Sequence, residues 1–320
     1  MISGAEQYDC IIIGAGPAGM SAGIYLARRQ LKILLLSKDI GGQAAWSSDV
    51  ENYLGFYLLS GPELAAKFAS HIRDFNVAIK EGVEVKGITG QAPNFMITTN
   101  VGSFHTKTIL VASGKIPRRL NVPGEQEFLG KGVIYCATCD APLFKNKAVA
   151  VIGGGNSALD AALQLDKIAT KIYLINLTPH YTETADKVMI EKVSSSSKVE
   201  VYHNSRTVEI IGEKFVKEMV IEDNETKKQT RLEVQGIFIE IGSEPSVAYL
   251  PSEVSLNKWH EIVIDEHNMS SLPGIFAAGD VTNITEKQVI IAAGEGAKGA
   301  LGVSRFLNER HFAEIKPQSY

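Results

Sequence analysis

One motif occurs twice in this chain, and the repeat limits the folds open to it more than any other feature. The segment "CIIIGAGPAGMSAGIYLARRQLKILLLS", Cys10 to Ser37, aligns without a gap on "VAVIGGGNSALDAALQLDKIATKIYLIN", Val149 to Asn176, 139 positions later. Each copy reads as an apolar strand, a glycine turn, a helix and a second apolar strand. In that βαβ context a Gly-x-Gly-x-x-Gly turn marks dinucleotide binding rather than a chance glycine cluster. Gly14 is expected to make the tight turn, Gly16 to let the backbone approach a pyrophosphate, and Gly19 to let helix and strand pack closely. Pro17 and Ala18 open the helix, whose free N–H groups face the phosphates. In the second copy Gly153, Gly155 and Ala158 fall on the three glycines, Asn156 and Ser157 on Pro17 and Ala18, and Asn176 on Ser37. Two such sites in one chain usually mean a flavin and a nicotinamide that exchange electrons.

At 320 residues the chain is too long for one ordinary core. The expected fold is α/β, with two Rossmann-like three-layer dinucleotide-binding domains. Two segments rich in proline, glycine and charge, Ser113 to Glu125 and Glu240 to Val247, read as crossings between them. The first domain is then discontinuous, 1–117 and 245–320, and the second, 118–244, is inserted into it. "SSSS", Ser194 to Ser197, reads as a solvated turn. The net charge is -4 and the basic residues are scattered in pairs such as Arg28-Arg29, which argues against nucleic acid as a partner. Cys10 to Ala27 carries no charge, but Gly14, Gly16, Pro17, Gly19 and Gly23 interrupt it, which argues against a membrane span. The start "MISGAEQYD" lacks the basic residues of a signal peptide, and three cysteines are too few for a secreted scaffold. A cytoplasmic location is expected.

Two of those cysteines, Cys136 and Cys139, stand in "YCATCD". A zinc knuckle needs four ligands, yet the remaining cysteine, Cys10, lies in the first strand and the seven histidines form no paired ligand spacing. A static disulfide across so short a loop restrains little of the unfolded chain. A redox pair fits the spacing, which closes a small reversible ring and favours one thiol as thiolate. Asp140 is of the right type to move a proton at the leaving thiolate, or alternatively caps a short helix. Cys10, the histidines, Trp46 and Trp259 read as structure.

Towards the C-terminus, "PGIFAAGDV" ends a strand at Gly279-Asp280, where the acid either caps the next helix or accepts a bond from a ribityl hydroxyl. A helix is expected to start at about Lys287-Gln288, with its positive end towards an electron-rich ring.

Together, "GAGPAG", "GGQ" at Gly41 to Gln43, "ENYLGF" at Glu51 to Phe56, "CATCD", "GGGNSA" and "FAAGD" resemble the low-molecular-weight thioredoxin reductase family of flavoproteins. The block from "VPGE" to "GGGNS" is also similar to the flavoprotein component of alkyl hydroperoxide reductase. The resemblance spans nearly the whole chain. It implies a homodimeric FAD enzyme that reduces thioredoxin or a similar small protein, with domains that swivel. The implied FAD contacts are Gln43, Asn52, Asp280, Gln288 and Val289, to which the candidate set adds Ser37, Gly42, Val85, Ala112, Gly114, Gly279 and Lys287. It further implies that Cys139 faces the flavin, that Cys136 attacks the partner and that Asp140 is the general acid. Two other readings stay open, a dithiol oxidase that passes electrons to oxygen and a nucleotide-sensing flavin protein without turnover.

The donor is where the chain departs from that family. NADPH-dependent members carry His-Arg-Arg-x-x-x-Arg after the second strand of the nicotinamide unit, whose guanidinium groups clamp the 2′-phosphate. Here the same place reads "NLTPHYTETADK", and no Arg follows Asn176 before Arg206. NADH is therefore expected ahead of NADPH, with reduced ferredoxin or a deazaflavin ranked between them.

Overall fold

The computed structural model describes residues 7–46, 50–183 and 185–314, with the side chains at 138, 139 and 310–314 outside the description. The chain opens with β1 (Gln7–Ala15), α1 (Pro17–Ala27), β2 (Ile33–Ile40), α2 (Gly61–Arg73) and β3 (Ala78–Lys80). A meander follows, β4 (Val85–Gln91), β5 (Asn94–Thr99) and β6 (Gly102–Val111), and β7 (Lys115–Pro117) leads out of it. Next come β8 (Val133–Ile134), α3 (Ala137–Asp140), β9 (Ala148–Ile152), α4 (Asn156–Asp166), β10 (Lys171–Ile175), α5 (Lys187–Ser195) and β11 (Val199–Tyr202). Three antiparallel strands, β12 (Ser205–Gly212), β13 (Val216–Asp223) and β14 (Gln229–Glu233), precede β15 (Gly236–Ile239). The chain ends with β16 (Ser243–Pro245), β17 (Ile275–Ala277) and α6 (Val289–Glu314).

These elements form two compact units, one of Met1–Trp46, Glu51–Ile116 and Glu244–Tyr320, the other of Ser47–Val50 and Pro117–Ser243. Among the described residues, unit 1 holds a sheet in the order β3-β2-β1-β6-β5-β4, with β17 also paired to β6. Its central strands are parallel and buried on both faces, which is why they read as unbroken apolar runs. Alternation sorts them: Cys10, Ile12 and Leu35 join Leu26, Ile72 and Val303 from the helices. Ile11, Ile13 and Leu34 instead join Phe95, Ile97 and Ile262.

Unit 2 repeats the plan with the parallel order β11-β10-β9-β15-β8. Val149, Val151 and Leu174 pack on Leu159 and Leu165 of α4. Ala150, Ile152 and Ile237 pack on Met219, Ile221 and Leu232 of the three-stranded sheet, which takes the place of helices on that face. This is the two-domain Rossmann-like architecture expected from the repeat, the second unit inserted between two stretches of the first. Ser194 and Ser195 differ from the sequence reading: they close α5, capped by Asp186 at its other end. The turn is Ser197 with Lys198, and the Ser196 hydroxyl before it is tied to the Asp166 carboxylate at 2.5 Å.

Candidate functional sites

In unit 1 the turn between β1 and α1 behaves as a cradle. Gly14 has φ +109°, and a Cβ there would strike the Ala112 carbonyl oxygen, so only glycine fits. Gly16 is the N-cap of α1, Pro17 its first residue, and a Cβ on Gly16 would meet nothing within 4 Å. Space is thus kept open above the helix N-terminus. Around it the fold gathers residues far apart in sequence. A Cβ on Gly42 would sit 3.4 Å from Gly16 Cα, and one on Gly279 would sit 3.0 Å from Ala18 Cβ. Asn52 Nδ2 donates to Gln288 Oε1 at 3.3 Å, across 236 positions. Gln43 Nε2 donates to the Lys115 carbonyl at 2.6 Å, and Gly114, in the left-handed region at φ +64°, borders open space. The backbone N–H of Val83, two residues before Val85, bonds the Ser37 carbonyl within β2.

Ser37 is arranged otherwise than a ribose ligand would be. Its hydroxyl is buried, accepts from Ala15 N at 3.0 Å and donates to the Asp39 carbonyl at 2.6 Å. Asp280 lies inside a short 3-10 turn, Gly279–Val281, without capping it. Burial raises the pKa of its carboxyl, opposed by Lys287 and Lys115. Lys287 Nζ donates to the Thr282 carbonyl at 2.6 Å and to the Asp280 carbonyl at 3.2 Å, and pairs with Glu261 Oε1 at 3.2 Å. The same Glu261 oxygen holds Lys115 at 2.7 Å. This clamp pins the segment before α6, which starts at Val289, against the Asp280 turn. Sequence reading missed Glu261 and Lys115, since nothing in their local spacing separates them from surface charge. The open cradle, the helix N-terminus and the buried acid fit a flavin dinucleotide.

The second cradle has the same backbone but a different filling. Gly153 makes the turn and Gly155 caps α4. A Cβ on Gly155, however, would meet Thr182 Oγ1 at 3.6 Å, and one on Gly154 would strike the Asn176 amide oxygen. Thr182 N donates to the Gly154 carbonyl at 2.9 Å, drawing the loop after β10 over the turn. Asn176 is buried at 3% exposure, and its amide group is taken up within the chain. Its Nδ2 donates to the His180 carbonyl at 2.8 Å and bonds His203 Nδ1 at 3.1 Å; its Oδ1 accepts from the Thr178 hydroxyl at 3.2 Å. Asn156 Oδ1 is likewise engaged, accepting from Asp186 N at 2.7 Å. The loop after β10 thus lies against the turn, and the Asn176 amide bonds within the chain.

The CxxC segment lies on α3, just after β8, with Cys136 extended at its N-cap. Cys136 is disulfide-bonded, whereas Cys10 is a free, buried thiol whose pKa is pushed up to about 12 by desolvation. The Cys139 side chain lies outside the described residues. Asp140 is buried at 4% exposure and makes no cap bond to the turn that follows. Sequence reading also missed Glu240, whose Oε1 accepts from Ala137 N at 3.1 Å. Desolvation raises this carboxyl to about 7, with the Ala137 N–H opposing and Asp160 adding to the shift.

Comparison with known proteins adds the following. Residues 8–296 match the family described as pyridine nucleotide-disulphide oxidoreductase. An NADH dehydrogenase of Bacillus subtilis is 37% identical over 302 residues, 94% of this chain and 59% of that protein. One alkyl hydroperoxide reductase component, from Staphylococcus aureus, is 38% identical over 303 residues, again 94% of this chain and 59% of that one. The chain therefore spans 59% of the length of these curated relatives. The crystal structure of thioredoxin reductase from Streptococcus pyogenes superposes with a TM-score of 0.87 at 34% identity, covering 95% of this chain and 99% of that one. Among the described residues no helix is long and apolar enough to cross a membrane.

Proposed function

Because the chain belongs to the pyridine nucleotide-disulphide oxidoreductase family, we propose that it is an FAD-dependent disulfide reductase of the thioredoxin reductase type. Unit 1 is the FAD domain and unit 2 the nicotinamide-type domain, and electrons leave through a Cys136–Cys139 pair to thioredoxin or a similar small redox protein. One observation carries this reading: the disulfide-bonded Cys136 stands in a CxxC at the carboxyl ends of a parallel sheet, where doubly wound folds place their chemistry.

Gly14, Gly16, Pro17, Ala18 and Gly19 would hold the pyrophosphate of FAD, and Gly42, Gln43, Asn52, Val85, Ala112, Gly114, Gly279, Asp280, Lys287, Gln288 and Val289 would surround the rest. When bound, FAD supplies a two-electron carrier able to reduce a disulfide. Reduction breaks the Cys136–Cys139 bond and leaves one thiolate and, after one proton is taken up, one thiol. Asp140, buried and next in sequence to Cys139, would hold and return that proton. The Cys136 thiolate then attacks a partner disulfide, one partner sulfur leaves as a thiol, and a mixed disulfide forms. Attack by Cys139 on Cys136 restores the internal bond and frees the second partner sulfur.

The test is anaerobic photoreduction of the FAD-loaded protein, followed by thiol counting and transfer to oxidised thioredoxin. Two new thiols per chain, beyond that of Cys10, and transfer are expected. Cys139→Ser should lose any long-wavelength thiolate–flavin absorption and Cys136→Ser should keep it; the reverse would exchange their roles. Steady oxygen consumption with a dithiol would favour the oxidase, and no new thiols would leave only a binding protein.

Between the nicotinamide nucleotides, NADH suits the chain better than NADPH, because no Arg stands between Asn176 and Arg206 to bind a 2′-phosphate. The Asn176 amide, engaged within the chain, favours another reading, a donor such as reduced ferredoxin or a deazaflavin. Flavin bleaching on anaerobic mixing decides: NADH alone supports the first, neither nucleotide the second, and rapid bleaching by NADPH would sink both.

A homodimer formed through unit 1 completes the proposal. An apolar groove of about 310 Å³, lined by Met20, Ile24, Tyr25, Tyr53, Phe56 and Phe68, lies open on its surface. Leu54, Tyr57 and Leu58 add exposed apolar area in the same segment.

A further inference from the structure

Glu240 follows β15 directly, and the sheet sets its place. β8 and β15 run parallel, with Val133 beside Ile237 and Ile134 beside Phe238. Two further steps of that register bring Glu240 alongside Cys136. A hydrogen bond closes the juxtaposition, from Ala137 N to Glu240 Oε1 at 3.1 Å. On its other side the Glu240 backbone is tied to β9, its N donating to the Ile152 carbonyl at 2.8 Å. Its own carbonyl oxygen fills the space a Cβ on Gly153 would need. The carboxyl is therefore held at a rigid sheet end, between the CxxC and the glycine turn. Among the titratable groups on the elements around it are Asp160 on α4, Asp140 at the end of α3 and the cysteines of the CxxC; β8 and β9 carry none.

We infer that Glu240 is a positioning residue for the CxxC pair: it fixes the backbone at Cys136–Ala137 and takes up a proton when the disulfide is reduced. This rests on the disulfide-reductase reading. Reduction to one thiol and one thiolate consumes two electrons and one proton at the sulfurs. The new negative charge then adds to that of the half-buried Glu240 carboxylate, and like charges in a partly desolvated site raise each other's proton affinity. A second proton, drawn from solvent, goes onto Glu240, and reoxidation releases it. A proton affinity already close to neutrality in the oxidised protein keeps this exchange within the working pH range.

The test is the pH dependence of the disulfide's midpoint potential in the FAD-loaded chain, followed by thiol labelling between about pH 6 and 9. In Glu240→Gln the amide oxygen still accepts from Ala137 N–H, so the backbone stays in place while titration is lost. Above neutrality the wild type is expected to show an extra tenfold fall in the reduction equilibrium per pH unit, about 30 mV for a two-electron couple. Glu240→Gln should lack that extra slope. Glu240→Ala, which also loses the acceptor, should in addition slow thiol exchange with a small disulfide. Identical pH profiles for wild type and Glu240→Gln would overturn the inference while leaving the disulfide reductase intact. A wild type with no thiol–disulfide couple at all would sink the reading beneath it as well.

Discussion

Two glycines of the same turn behave differently, and the contrast shows what a motif can and cannot report. Gly14 is confined by φ +109° and by the Ala112 carbonyl, so its role is structural; Gly16 borders open space, so its role is to admit a ligand. Gly16→Val should therefore keep the fold and its melting temperature within a few degrees yet lose FAD by well over tenfold, read from flavin absorbance after gel filtration. Gly14→Ala should lower the melting temperature by several degrees, since strain and collision together cost on the order of 1–3 kcal/mol. Glu240 makes a second prediction at this scale. Burial raises its pKa from 4.5 to about 7, so the folded chain binds that proton more tightly than the unfolded one. The stability this contributes is full below about 4.5 and is lost as pH rises through about 7, a few kcal/mol in all. Glu240→Gln should melt higher than wild type at pH 8 and converge with it near pH 5, as thermal unfolding at both pH values would show. The glycines and the CxxC were legible in the sequence because local spacing encodes their chemistry. Glu240 was not, because its meaning comes from a strand register that joins positions 103 apart.

Among the elements, the two βαβ repeats were legible for a related reason: parallel strands buried on both faces must be apolar throughout, and the turn between strand and helix must be glycine. The sheet of β12–β14 was not legible as the cover of unit 2, since alternating residues report a buried face without naming what buries it. The loop after β10 is the clearest departure. The missing arginines could be read directly, but the inward turn of Asn176 could not, because His180, His203 and Thr178 bond it only in the folded unit. Tyr181 anchors that loop, packing against the core that contains Leu159 and Leu174, with its ring edge-on to His203 at 4.8 Å. If the loop is what limits nucleotide access, Tyr181→Ala combined with Thr182→Gly should raise NADH affinity at least tenfold by calorimetry. Unchanged affinity would assign the poor fit to Asn176 alone. His203 adds a pH arm, because burial, then His180, lowers its pKa below 6.5. Its bond to Asn176 contributes stability above about 6.5 that is lost as pH falls through the lowered value, so acid should increase hydrogen exchange across residues 177–183.

For the whole molecule, the open question of assembly turns on surface that the fold of one chain leaves uncovered. Tyr57 is 96% exposed and Leu54 89%, in the segment that also supplies Tyr53 and Phe56 to the groove on unit 1. Tyr25 from α1 and Ile290 from the first turn of α6 are exposed as well. Large apolar side chains gathered in this way are uncommon on a monomer, because water gains little by contact with them, and each covered in an interface returns about 1.5–3 kcal/mol before the cost of association. A second copy of this chain, presenting the same face, would cover both. Because the attraction is apolar, the dimer should persist at 0.5 M salt, where screening weakens interfaces held by exposed charges. Sedimentation at micromolar concentration should give twice the chain mass, and Tyr25→Asp with Phe56→Asp should shift it to the chain mass while FAD absorbance is retained. A wild type that sediments as a monomer across that range would remove the dimer from the proposal, and loss of FAD in the double variant would show that the groove supports the flavin domain instead of a neighbour.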